Sequence, residues 1–444
     1  MPGLYRKISF RILPLLFCTY FLNYLDRVNV SFAAKSMSID LGMSTAAFGF
    51  GAGLFFLGYI LLEVPSNLAL HRFGARKWIT RIAFTWGLVS SATAFVQTEW
   101  QFYALRFLLG ASEAGLFPGI VLYLTWWYPA PVRARLIGGF MCAIAFAGII
   151  GGPVSGWILE TFDGKAGLAD WQWLFLIEGL PCLAVGFWIW FGLTDRPEQA
   201  RWLTAEEQRA VQAALDAEET EKARHGIPAH GWRFLRNPLI VKLSVLYFLQ
   251  AMGIYGVSFW LPSIVQDFGR LTPLQVGWLS ALPWLGGMLV MFGFVRSSDR
   301  SGERQRHALA ASLSSGTGFL ICAISSNPTV DLIGLTLAAG GSMALIAINW
   351  SFPAAILSGT AAAAGIAIIN SVGNLGGFVS PSLIGWLVTR TGHFTDGQYL
   401  TAACLFLAAG MLAAFRFMPD RPNGAAGIGD SPSPRAPRLG TGQR

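Results

Sequence analysis

The chain of 444 residues is 54% hydrophobic and only 13% charged, with a mean hydropathy of +0.51. That excludes an ordinary soluble domain and points to a chain folded in a lipid bilayer. The formal charge of +8 would suit nucleic acid, but the lysines and arginines gather in short joints between apolar runs, as topology signals do, so no nucleic-acid partner is expected.

A spanning helix needs about 20 mainly apolar residues. On that rule the first set of spans falls near 12–34, 45–69, 78–97, 101–127, 135–159 and 173–193. A second set falls near 239–266, 275–296, 307–326, 331–357, 362–388 and 398–418. The expected fold is all-α: twelve transmembrane helices in two six-helix bundles, 1–194 and 239–419. A cytoplasmic linker, 195–238, joins them as a solvated connector with one surface helix, and a disordered tail follows at 420–444. The basic joints fall on one side, which places both termini in the cytoplasm. The run after Arg6, Lys7 and Arg11 contains Asp26 and no small-residue cleavage site, so it reads as a retained first span.

The first span carries Asp26 and Arg27 side by side at membrane depth, where each ionisable group costs at least ~2.5–3.5 kcal/mol and so marks a pathway or site. Mutual neutralisation at a helix contact is the structural alternative. Tyr24 precedes the pair, and Tyr59 lies midway along span two, ahead of Glu63. Span four holds Arg106 and Glu113. Seven residues amount to about 700° of rotation, so both project from one face, about 10.5 Å apart along the axis. Two cations and two acids can therefore share one cavity, although a purely structural ion network has the same composition.

Arginine keeps its charge, and its planar fork matches a carboxylate, so Arg27 and Arg106 are candidates to hold an organic anion. A carboxyl in a dry cavity keeps its proton until a neighbouring arginine draws it off, and a bound anion can consume that arginine's charge. Asp26 and Glu113 are thus candidate proton carriers. In the second set, Asn349, Ser351, Asn370, Ser371 and Asn374 bring uncharged polar groups into spans ten and eleven, either as ligand contacts or as helix–helix hydrogen bonds. Asn370 and Asn374 share a face. The five cysteines are scattered, with no metal or redox spacing, and neither metal nor cofactor is expected. Glycines and prolines in spans five (Gly148, Gly152, Pro153, Gly156) and eleven (Gly376, Gly377, Pro381, Gly385) allow close helix approach.

The joint after span two reads His71-Arg-Phe-Gly-Ala-Arg-Lys77, and that after span eight Asp299-Arg-Ser-Gly-Glu-Arg-Gln305. Arg72, Gly74 and Arg76 align with Arg300, Gly302 and Arg304, which argues for two similar halves. These turns resemble the basic loop of the major facilitator superfamily. The first departs from it, with Asn67 for the leading glycine and His71 for the acid; Glu63 is expected to supply the missing acid near Arg72 or Arg133.

Five further blocks are similar to the anion:cation symporter family, and within it to the tartrate-transporter-like branch. They are Asn23-Tyr-Leu-Asp-Arg-Val-Asn-Val30, Glu63-Val-Pro-Ser-Asn67, Phe73-Gly-Ala-Arg76, Arg106 to Gly119, and Trp171-Gln-Trp-Leu-Phe-Leu-Ile-Glu-Gly179. The resemblance implies that the acids matching Asp26 and Glu113 couple protons and that the arginine matching Arg27 binds substrate. It also favours Asn374, in Gly373-Asn-Leu-Gly-Gly377, at the cavity.

The expected function is proton-coupled import of a small organic anion, tartrate or another hydroxy-dicarboxylate, across a bacterial inner membrane by a monomer working through alternating access. Aromatic and sugar acids remain alternatives. The rivals are an exporter or drug–proton antiporter, suggested by the Gly-Pro turn of span five, and last a transport-derived receptor or channel. No enzyme motif is present.

Overall fold

The computed structural model describes residues 2–225, 237–356, 359–415 and 417. The expected tail at 420–444 and the linker segment 226–236 lie outside them. Among the described residues the chain is helical throughout, because in a bilayer each backbone N–H and C=O must find its partner within the chain.

The first half comprises α1 (Pro2–Asp40), α2 (Thr45–Phe73), α3 (Ala75–Ala92), α4 (Glu99–Glu113), α5 (Leu116–Thr125), α6 (Ala130–Phe162) and α7 (Asp170–Gly192). Helix α8 (Ala205–His225) follows. The second half comprises α9 (Pro238–Gln266), α10 (Pro273–Ser301), α11 (Arg304–Ile324), α12 (Pro328–Asn349), α13 (Ser351–Ile356), α14 (Gly359–Thr391) and α15 (Thr395–Ala414). Ser44, Thr98 and Thr272 cap α2, α4 and α10 by accepting the backbone N–H groups of Ala47, Gln101 and Gln275.

Among the described residues eleven segments are long and apolar enough to cross a membrane, with α4 and α5 counted as one, Glu99–Thr125. The segment 78–97, expected as a span, falls mostly in the 18-residue helix α3, which is not among the eleven. Arg76, Lys77 and Arg81 in its first two turns lower its hydropathy. The segment 101–127 is not one continuous helix, since α4 stops at Glu113, and 331–357 divides at Trp350 into α12 and α13.

The two halves meet along two antiparallel seams. On one, α2 runs against α14, with the Ala46 N–H donating to Thr389 Oγ1 at 2.8 Å near one end. On the other, α6 lies against α10 so closely that a Cβ on Gly152 would stand 2.5 Å from the Gly277 carbonyl oxygen, and one on Gly277 2.2 Å from that of Gly152. Only glycine fits at such a crossing. The α6–α10 seam lies toward the end that holds the α1–α2 turn.

Helix α8 is not a free connector. Lys7 pairs with Glu207 at 2.7 Å, Arg133 with Glu218 at 3.0 Å, and Trp127 stacks on Trp202 at 5.7 Å. These contacts dock the linker on the first half, at the end where the N-terminal segment lies.

Candidate substrate and proton site

Successive residues of a helix project about 100° apart, so Asp26 and Arg27 leave α1 in different directions. Asp26 turns toward α3, where it accepts from Trp86 Nε1 at 2.8 Å and from Ser90 Oγ. Asn29 Nδ2, one turn along α1, donates to it at 3.1 Å. These three donors satisfy a carboxylate that is 1% exposed.

Arg27 turns toward α4. Its Nη2 donates to Glu113 Oε2 at 3.0 Å, with the arginine side chain 13% exposed and the glutamate 0%. The ion pair is sealed on the acid's side and open on the cation's. The guanidinium lies 4.8 Å from the Phe55 ring centroid, 5.3 Å from Tyr59 and 5.9 Å from Tyr24, so aromatic faces support the charge as it waits on one carboxylate. Tyr20 of α1 and Tyr255 of α9 stand within its electrostatic reach.

Arg106, expected beside Arg27 as a substrate contact, is enclosed at 1% exposure. It lies 5.3 Å from the same Phe55 ring and within electrostatic reach of Asp26 and Glu113, but none of its three guanidinium nitrogens has a hydrogen-bond partner. Tight packing places it there, because a Cβ on Gly110 would stand 1.8 Å from the Phe55 carbonyl oxygen. The backbones of α2 and α4 nearly touch, and Arg106 is shut in behind the ring.

Directly after Glu113 the helix breaks. Ala114 leaves the helical region, and Gly115 takes φ +84°, where a Cβ would meet Ser66 Oγ at 2.5 Å. Glu113 and Arg27 therefore meet at a helix C-terminus, whose unsatisfied carbonyls favour a cation.

The remaining expected residues divide. Tyr24 and Tyr59 flank Arg27 as described. Glu63 is near neither Arg72 nor Arg133; it accepts from Asn370 Nδ2 of α14 at 2.7 Å, joining the two halves. Arg133 is already taken by Glu218, and Arg72 lies over Phe73. The missing acid of the first basic turn is Asp195, whose carboxylate accepts the Arg76 N–H at 2.7 Å and packs on Gly74, at φ +88°. In the second turn Asp299 pairs locally with Arg304 at 2.5 Å, Gly302 takes φ +70°, and Arg300 is exposed.

In the second half, Asn349 ends α12, fully buried and with neither amide atom partnered. Ser351, at the start of α13, is occupied by the end of α12, donating to the Ile348 carbonyl at 2.6 Å. Asn374 is buried on α14. Sequence reasoning missed Asp195, Glu178 and the α9 residue Tyr255. Of these, Glu178 carried a readable signal, an acid in an apolar span. Among the described residues no His, Cys, Asp and Glu cluster could hold a metal.

Eleven segments long and apolar enough to cross a bilayer, among the described residues, define a polytopic membrane protein. The family model of the Major Facilitator Superfamily matches residues 16–270 and 243–440, and the chain belongs to that superfamily. A provisionally named tartrate transporter of Agrobacterium vitis is 46% identical over 406 residues, covering 91% of this chain and 89% of its own. A quinolone resistance transporter of Acinetobacter baumannii is 40% identical over 409 residues, covering 90% and 92%. The inward-open xylose transporter XylE of E. coli shares the fold, with a TM-score of 0.74 at 16% identity over 94% and 97% of the two chains. The chain is a multi-pass membrane protein and a secondary transporter of organic substrates rather than an enzyme.

Proposed function

We propose that this transporter imports a small organic anion together with protons, with a hydroxy-dicarboxylate such as tartrate as the favoured substrate. The observation that carries the reading is the Arg27–Glu113 pair, enclosed on the glutamate's side and open on the arginine's. An incoming carboxylate competes for the Arg27 fork, which matches it bidentately. Glu113 then loses its counter-charge inside a closed pocket, and neutralisation by a proton removes the penalty of a buried, unpaired carboxylate. Once that proton leaves, Glu113 reclaims Arg27 and displaces the anion. Arg106, enclosed behind Phe55, holds Asp26 and Glu113 by charge and supplies field rather than direct contact. Substrate shape is read from the second half by Asn374 and Tyr255. The relative provisionally named for tartrate supports the substrate class.

The α6–α10 seam and the Glu63–Asn370 contact hold the halves together in this conformation. With both termini in the cytoplasm, the end sealed by the α6–α10 seam is the outer one and the state is inward-facing. Cysteines introduced on the exposed face of α8, at Arg209 or Ala213, then resist impermeant thiol reagents in intact cells and react after lysis; labelling from outside reverses the orientation.

Export is a second reading, favoured by the quinolone resistance relative. The glycine-rich stretch of α6 that first suggested it is used here in packing on α10. In proteoliposomes, an inwardly directed proton gradient should drive accumulation of labelled tartrate or another small carboxylate. Failure of every anion in a panel, with gradient-driven movement of a quinolone instead, would establish the export reading.

A further inference from the structure

The proposed coupling uses Asp26 and Glu113, but a third acid, Glu178 of α7, is buried near Asp26 at 3% exposure. Its Oε1 accepts from Ser155 Oγ of α6 at 2.7 Å, while its Oε2 is buried with no donor. Asn29 of α1 faces it. The Asn29 Nδ2 donates to Asp26, and its Oδ1 is likewise buried with no donor. Two buried acceptors without a donor thus sit on neighbouring side chains across the α1–α7 contact.

We infer that Glu178 is a third proton-holding carboxyl, neutral in this conformation, which donates from Oε2 to Asn29 Oδ1 and so orients Asn29 toward an ionised Asp26. One proton satisfies both orphaned acceptors. Turning the Asn29 amide over does not, since it would set Oδ1 against the Asp26 carboxylate and remove one of its three donors. Charge bookkeeping agrees. Arg27 answers Glu113, Arg106 faces Asp26, and among the described residues no cation pairs with Glu178. Among the described residues, the groups facing it include Asp26 and Asn29 from α1, Ser155 from α6, and Cys182 on α7 itself, while α3 brings Ser90, Ser91 and Gly87 against α7. An ionised Glu178 would be a buried charge without a counter-ion.

The position gives the proton a use. Ser155 lies between Gly152 and Gly156, the residues that seat α6 on α10. Parting of that seam displaces Ser155 from Glu178, so the protonation of Glu178 follows closure of the two halves. The inference goes beyond coupling through Glu113 and stands without it, because its readout is a protonated carboxyl rather than transport.

The test is infrared spectroscopy of the purified, reconstituted full chain in H2O and D2O at neutral pH. The wild type should show a deuterium-sensitive carboxylic-acid carbonyl band that is retained in Asp26→Asn and Glu113→Gln and lost in Glu178→Gln. Because glutamine keeps the acceptor for Ser155 and adds a donor for Asn29, Glu178→Gln should keep its melting temperature, whereas Glu178→Leu should lower it. A band that persists in Glu178→Gln, or Glu178→Gln melting as low as Glu178→Leu, would overturn the inference.

Discussion

The two halves of the chain enclose different interiors. Every buried charged side chain among the described residues lies in the first half, namely Asp26, Glu63, Arg106, Glu113 and Glu178, with Arg27 at its open face. The corresponding interior of the second half holds Gln250, Ser258, Asn349 and Asn374. Charge at membrane depth is expensive and demands partners, so the helices that carry it are locked to one another by ion pairs and by contacts such as Gly110 on Phe55. Amides cost less to bury and leave a surface that can fit a ligand's shape. On the proposed function, the first half holds the carboxylate and moves protons, and the second reads the rest of the substrate.

The comparison breaks first at Arg27. Arg27→Ala removes the cation hydrogen-bonded to buried Glu113, at about 3–5 kcal/mol, so binding and melting temperature should fall together. Arg27→Lys keeps the charge but not the fork; stability should largely return while anion affinity stays at least about tenfold weaker, which isothermal titration in detergent would show. Unchanged affinity in Arg27→Lys would remove the bidentate role.

Asn349 sharpens the other side. Asn349→Leu removes two orphaned amide atoms, so the melting temperature should rise. If the amide reads the substrate, affinity should fall about tenfold, the worth of one hydrogen bond of about 1.4 kcal/mol, with the pH dependence of uptake unaltered. A changed pH dependence would place protons in the second half after all.

The basic turns offer a smaller contrast. Asp195 reaches the first turn from far along the chain, whereas Asp299 belongs to the second turn and is exposed. Asp195→Asn should cost roughly 1 kcal/mol, as a charge-assisted bond becomes neutral, and Asp299→Asn less, as a surface pair. Thermal melts of the two variants decide it.

The smallest effect concerns α8. Lys7 and the Thr204 N–H hold Glu207 below the ordinary glutamate range. A carboxyl with a depressed folded value contributes stability above its unfolded value of about 4.3 and loses it as pH falls through the folded one. Protease access to α8 should therefore increase at acid pH, and Glu207→Gln should remove that increase.

Much of this was legible in the sequence. The apolar runs, the repeated turn and the buried charges Asp26, Arg27, Arg106 and Glu113 follow from lipid being a poor solvent for charge. Partner choice was not legible. Adjacent Asp26 and Arg27 suggest a shared cavity, yet the helical rotation between them sends one to α3 and the other to α4. Glu63 lies near the basic turns in sequence, but α14 takes it first through Asn370. Arg106 and Glu113 share a helix face, but the Gly110–Phe55 approach closes over the first and the break at Gly115 leaves the second beside Arg27. Such outcomes depend on helix–helix distances, which local sequence does not encode.

The central claim is that Glu113 gives up Arg27 to the substrate and takes a proton in exchange. It is tested most directly by gradient-driven uptake and counterflow of labelled substrate, measured on the same reconstituted Glu113→Gln protein and normalised to inserted chain. Glutamine imitates the protonated glutamate and cannot release a proton, so accumulation driven by a pH gradient should collapse to background while counterflow persists. Full proton-driven accumulation in Glu113→Gln, or loss of both modes in proportion to folded protein, would contradict it.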